Sequence, residues 1–172
     1  AGNYRPVSLT SILSKLIETL VRDHVYEHMV KNNLFSNRQF GFIKGRSSVL
    51  QLLRAVENWT EALEEGKTVD CIYADFRKAF DKVPHKRLIS KIRAYGIHEN
   101  ICVWIEDFLR GRTQRVSVNK HMSQWEKVIS GIPQGTVIGP LLFVIFINDL
   151  PEMIESMIFL FADDSKIWRA IK

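Results

Sequence analysis

Hydrophobic positions along this chain switch between two spacings. From Ile12 to Val30 they fall at 12, 13, 16, 17, 20, 25 and 29, one face of an amphipathic helix. Leu52, Leu53, Val56, Trp59 and Leu63 predict a second helix with those residues as its buried stripe. Ser48 and Gln51 have capping-box spacing at its start, and Gly66 ends it. Leu88, Ile89 and Ile92 mark the inward face of a third helix, opened by Pro84 and closed by Gly96. Ile101, Trp104, Ile105, Phe108 and Leu109 mark a fourth, stopped by Gly111. Leu141 to Ile147, after Pro140, is apolar nearly all round, which predicts a fully buried helix ended by Asn148 and Pro151.

Between these lie strand patterns. Val69 to Phe76 is a mostly apolar strand, with Cys71, Tyr73 and Asp75 on one face. Thr113 to Val118 alternates as a half-exposed strand, and Trp125 to Ser130 is its expected partner. Ile158 to Ala162 and Lys166 to Ala170 read as a hairpin with Asp163-Asp164-Ser165 as its turn. Asn3 to Leu9 is extended, because Pro6 disfavours helix at Arg5.

Composition narrows the class. With 172 residues, 46% hydrophobic and 25% charged, the chain can bury a core and is not disordered. Its longest apolar run, Leu141 to Ile147, is seven residues, too short to span a bilayer, and no signal peptide is visible. Cys71 and Cys102 have apolar neighbours and read as reduced core thiols, which favours an intracellular protein. The net charge of +5 is uneven: residues 67–130 carry 13 Lys and Arg against 7 Asp and Glu, and residues 131–172 carry 3 against 5. A basic middle beside an acidic end suits a polyanion held next to a metal site; a solvated basic face is the plainer reading.

Three features carry candidate chemistry. Asp75 emerges at the end of what reads as a buried strand, where an acid is costly unless paired or metal-bound, though it could instead cap the next turn. Gly131-Ile132-Pro133-Gln134-Gly135-Thr136-Val137-Ile138-Gly139-Pro140 is a shaped loop holding one Gln. Asp163 and Asp164 are adjacent acids at a turn; taken alone, a polar hairpin tip is the plainer reading. Together three carboxylates from two strands can hold two divalent cations, and hard oxygen ligands suit Mg²⁺. Gln39-Phe40-Gly41-Phe42-Ile43-Lys44-Gly45-Arg46 is a further loop, either a phosphate or template contact or an ordinary connection. His24 and His28 stand one turn apart, but Val25 occupies the place of a catalytic Glu, so they read as surface histidines.

Tyr73 to His85 (Tyr-Ala-Asp-Phe-Arg-Lys-Ala-Phe-Asp-Lys-Val-Pro-His), the 131–140 loop and Phe161-Ala162-Asp163-Asp164 resemble three core motifs of reverse transcriptases. The nearest branch is that of non-LTR, LINE-type retrotransposons, of the jockey and chicken-repeat groups. Asn3 to Leu9, Gln39 to Phe42 with Gly45-Arg46-Ser47, and Gly111 to Val116 match as well, so the resemblance covers essentially the whole chain. Thr136 stands where Ser is more usual and Ile138 where Leu is.

The resemblance implies an α+β fold: a right-hand polymerase palm, an antiparallel sheet backed by helices, with part of the fingers and the thumb absent. Residues 1–66 would be partial fingers and 67–172 palm. It implies that Asp75, Asp163 and Asp164 are catalytic and bind two Mg²⁺, or Mn²⁺, with the Phe76 carbonyl beside them. Phe80 would be the steric gate that excludes a ribose 2′-OH; a core aromatic is the plainer reading. Arg5, Gln134 and Gly135 would meet the incoming nucleotide, and Gln39 and Arg46 the template. RNA template, DNA primer or target and dNTPs are the implied partners, with no membrane, and integration implies the nucleus. The chain reads as an excerpt, expected to bind nucleic acid but not to polymerise alone. Two rival readings are a relic or co-opted domain that only binds RNA, and a two-metal phosphodiesterase. The second gives no reason for Phe80 or the Gln134 loop.

Overall fold

The computed structural model describes residues 7–172. Its elements in chain order are α1 (Ile12–Lys31), α2 (Ser48–Glu64), β1 (Thr68–Asp75), a 3₁₀ turn (Phe80–Lys82), α3 (His85–Ala94) and α4 (Glu99–Leu109). Then come the short strands β2 (Thr113–Gln114), β3 (Ser117–Val118), β4 (His121–Met122) and β5 (Glu126–Lys127). The chain closes with α5 (Gly139–Ile147), a second 3₁₀ turn, β6 (Met157–Phe161) and β7 (Asp164–Ile171). This is the mixed, antiparallel α+β architecture expected.

The main sheet has the order β1-β7-β6, antiparallel throughout. On one face, Ile158, Leu160 and Ile167 pack against α3, α4 and α5 in the principal core. Helix α5 is buried on nearly all sides, as its uniformly apolar sequence requires. On the opposite face, Phe40, Ala55, Phe159 and Trp168 form a second cluster beneath α2, joined by Trp59, whose ring meets Trp168 edge-on at 6.1 Å. Both cysteines are free; burial pushes the Cys102 thiol up, and its Sγ–H donates to the Ile97 carbonyl at 3.3 Å.

Several expectations need correction. Helix α2 buries Gln51, Ala55 and Ala62, not the large apolar stripe. Leu52, Leu53, Val56 and Leu63 are exposed, because the small face seats closely on the sheet. Its N-cap is Ser47, whose Oγ accepts from Leu50 N–H at 3.2 Å. Helix α1 is apolar on a face that stays exposed over its first half, while Glu18, Val25 and Met29 are buried. Strand β1 is an edge strand with Ile72 and Tyr73 exposed, not a buried one. The 113–118 strand is broken: β2 pairs with β5 and β3 with β4, both exposed ribbons. A Leu53→Gln change should therefore shift unfolding free energy by no more than about 0.5 kcal/mol, as for other surface sites. Urea denaturation of the chain checks this, and a loss of core size would restore the original stripe.

Candidate active site

Two strands bring the acids together. Asp75 is the last residue of β1 and Asp164 the first of β7, and they are direct cross-strand partners. Such partners have Cα atoms about 4.5–5.5 Å apart and side chains on one face. Because Phe161 pairs with Asp164, the turn is Ala162-Asp163 rather than Asp163-Asp164-Ser165. Ala162 takes φ 55°, the left-handed conformation a tight two-residue hairpin demands. Asp163 thus sits half-buried in the turn, with Asp164 exposed in the strand beside it. Asp75 and Asp164 line a cavity of about 350 Å³ with Gln51, Tyr73, Phe161 and Lys166. Lys166 is buried there, its ammonium 5.4 Å from the Tyr73 ring and 5.6 Å from Trp59. Among the described residues no three His, Cys, Asp or Glu side chains stand placed to hold an ion.

The segments after β1 and before α5 are stitched to each other. Gly131 N–H donates to the Val83 carbonyl at 2.9 Å and Ile132 N–H to the Phe80 carbonyl at 2.8 Å. His85 Nε2 donates to the Gly131 carbonyl at 2.8 Å, and Gln134 Nε2 to Asp81 Oδ1 at 3.1 Å. Gly131 has φ 92°, and a Cβ there would lie 2.6 Å from the Asp81 carbonyl oxygen, so only glycine fits. Lys78, Lys82, Arg112 and Lys127 join Asp81 and Gln134 around a cleft of about 450 Å³. Burial lowers the Arg112 pKa from its ordinary value. A larger hollow of about 610 Å³, between α3, α4 and Val128–Ile129, is lined by none of the three acids.

The other predicted residues fall as follows. Phe80 is half-buried and stacks on Phe143 with ring centroids 4.4 Å apart, 18° from parallel. The Phe76 carbonyl accepts from Ala79 N–H at 3.1 Å. Gly135, at φ 92°, is exposed beside Ser8. Gln39, expected on the template side, is fully buried and presents no surface to a template in this structure. Arg46 turns inward, donating to the Ser36 and Gln39 carbonyls at 2.5 and 2.6 Å, and burial together with Arg54 lowers its pKa. Arg5 lies outside the described residues. His28 donates to the Tyr95 carbonyl at 2.8 Å.

Sequence reasoning missed Glu18. It is fully buried on α1, its Oε2 accepting from Val137 N–H at 2.7 Å and Ile138 N–H at 3.3 Å. The available signal was its spacing from Val25 and Met29, which places an acid in the stripe that faces inward.

An antiparallel sheet with two facing acids at its hairpin end, backed by helices, is the mixed architecture described above. The chain belongs to the reverse transcriptase (RNA-dependent DNA polymerase) family, whose model matches residues 1–168. It is 34% identical over 155 residues to the probable RNA-directed DNA polymerase from transposon BS of Drosophila melanogaster, covering 87% of this chain and 16% of that protein. It is 32% identical to the corresponding X-element protein of the same fly, over 95% of this chain and 18% of that one. It is likewise 32% identical to the RNA-directed DNA polymerase from mobile element jockey, over 87% and 16%. The chain thus spans less than a fifth of the length of these relatives. Among solved structures, telomerase from Candida albicans, in complex with a TWJ fragment of telomeric RNA, shares the fold. Its TM-score is 0.60 at 10% identity, over 91% of this chain and 30% of that one. No helix among the described residues is long and apolar enough to cross a membrane.

Proposed function

We propose that this chain supplies the catalytic centre of an RNA-templated DNA polymerase from a non-LTR retrotransposon. The observation that carries this is the register that sets Asp75 opposite Asp164, with Asp163 next along the turn. Residues 1–66 then belong to the fingers and 67–172 to the palm. The donor set is oxygen only, the chemistry that suits Mg²⁺, although the three carboxylates do not gather round one point among the described side chains. Asp75, Asp163, Asp164 and the free lone pair of the Phe76 carbonyl would hold it. When bound, the metal supplies charge stabilisation at the attacking 3′-hydroxyl and the leaving pyrophosphate. The chain's own residues do the rest. Lys78, Lys82, Arg112 and Lys127 neutralise phosphates of primer, template or nucleotide along the cleft. Gln134, held by Asp81, and Gly135 form the wall against which the incoming dNTP is oriented. Integration of the product into chromosomal DNA places the reaction in the nucleus. Extension of a DNA primer on an RNA template, by the polymerase that contains this chain, is the test. RNA binding without any extension would leave only a binding domain.

Phe80 is the proposed steric gate. Its stacking on Phe143 fixes the ring, so either a gate or a core aromatic would lower overall rate when truncated. The two differ in selectivity. Phe80→Ala should raise rNTP incorporation relative to dNTP by about tenfold or more, the scale at which a pocket tells small groups apart. An unchanged ratio assigns Phe80 to the core.

A further inference from the structure

The turn that carries the acids is held from outside its own hairpin. The loop at 36–41 runs alongside β6 as a single parallel bridge: Leu160 N–H donates to the Arg38 carbonyl and Phe40 N–H to the Leu160 carbonyl, each at 2.8 Å. This lays the Gln39 side chain under the hairpin end, fully buried. Its Oε1 accepts from Gly41 N–H at 2.7 Å and from Ala162 N–H at 3.0 Å. Two backbone donors meeting one atom fix the orientation of the carboxamide, because a flipped amide would aim its own N–H groups at them. Nε2 is buried with no partner among the described residues, so the amide is kept for its oxygen. Gly41 completes the fit. A Cβ there would stand 2.3 Å from Ala162 N, so the loop reaches the turn only because residue 41 has no side chain. Arg46 braces the assembly by donating to the Gln39 carbonyl.

We infer that Gln39 is the positioning residue of the acid turn: by accepting the Ala162 N–H it holds Ala162 left-handed and so sets where Asp163 and Asp164 stand. It touches neither template nor nucleotide. The loop that the sequence offered as a template contact acts through the hairpin instead. The inference rests on the polymerase reading of the three acids. Small displacements of reacting groups are costly to rate, so a residue that sets the turn acts on kcat.

The experiment uses the full polymerase containing this chain. Gln39→Met keeps length and volume but removes the acceptor, and Gly41→Ala pushes on the same amide from the other side. Each should lower kcat by about tenfold or more, with template RNA Kd unchanged. Unchanged kcat in both variants overturns the inference, as does weakened RNA binding with kcat intact, which would make Gln39 a template contact. Amide exchange in the unmutated protein decides the matter even where a variant fails to fold: the Ala162 N–H should be strongly protected, although it lies in a hairpin turn. Exchange at the rate of a free turn overturns the inference as well. Asp163→Asn, run in parallel, separates the two levels. If it keeps activity, the catalytic reading fails; if it is dead while Gln39→Met is active, only the clamp fails.

Discussion

Asp163→Asn, introduced into the polymerase that contains this chain, should slow nucleotide addition by about 10³-fold or more. That is the size of the several kcal/mol of charge stabilisation a metal ligand secures. The substitution is chosen because it changes little else. Asn is isosteric and at home in turns, and Asp163 lies half-buried in the two-residue connection between β6 and β7 rather than in the packed core. Affinity for RNA should hold, because the cleft lined by Lys78, Lys82, Arg112 and Lys127 does not include Asp163. Single-turnover primer extension beside an RNA-binding titration measures both. Asp75→Asn should behave alike, and the double variant should be little worse than either, since groups acting as one unit are not additive. An Asp163→Asn enzyme with more than a tenth of normal rate would move the chemistry elsewhere.

The strands that carry the acids were legible in the sequence because their surroundings obey simple rules, although the turn falls one residue earlier than read, at Ala162-Asp163. Asp75 closes a strand of apolar residues, and the Asp163-Asp164 pair interrupts two apolar runs, so strand, turn and strand follow from local pattern. Helices α3, α4 and α5 were equally plain, since their apolar residues are buried where the spacing puts them. Helix α2 was misread because hydrophobicity indicates only that a face is apolar, not which partner covers it. Its small face, Ala55 and Ala62, meets the sheet, and its leucines remain exposed. Gln39 and Glu18 were misread or missed for a different reason. Both are buried polar residues whose partners are backbone amides more than a hundred residues away, at Ala162 and at Val137 and Ile138. A side chain–backbone contact of that range leaves no periodicity in the sequence. Only the fold reveals that the loops flanking the acids are held by residues from the first forty positions.

Glu18→Ala is the stability prediction that follows. The Glu18 carboxylate accepts two backbone N–H groups from Val137 and Ile138, and its Oε1 accepts from the Ser14 hydroxyl at 3.1 Å. Those amides open α5, where the helix dipole favours an anion. Helix α5 is surrounded by core, and Ile138 is itself fully buried, so its freed amide cannot turn to water. Truncation removes the acceptor and leaves buried donors unsatisfied, a loss of about 2–4 kcal/mol from hydrogen bonds to a charged group. Against a total stability of roughly 5–15 kcal/mol that is a large fraction. Glu18→Gln keeps one acceptor oxygen without the charge and should lose about half as much. The Gln134 loop runs directly into this anchor, so the same change should raise KM for dNTP before it alters RNA affinity. Urea denaturation of the chain and dNTP titration of the polymerase read the two effects separately. If Glu18→Ala unfolds within about 0.5 kcal/mol of the parent, as a surface substitution would, the carboxylate does not hold the start of α5 in solution, and the loop before it must be fixed by its bonds to Ser8, Phe80, Asp81, Val83 and His85.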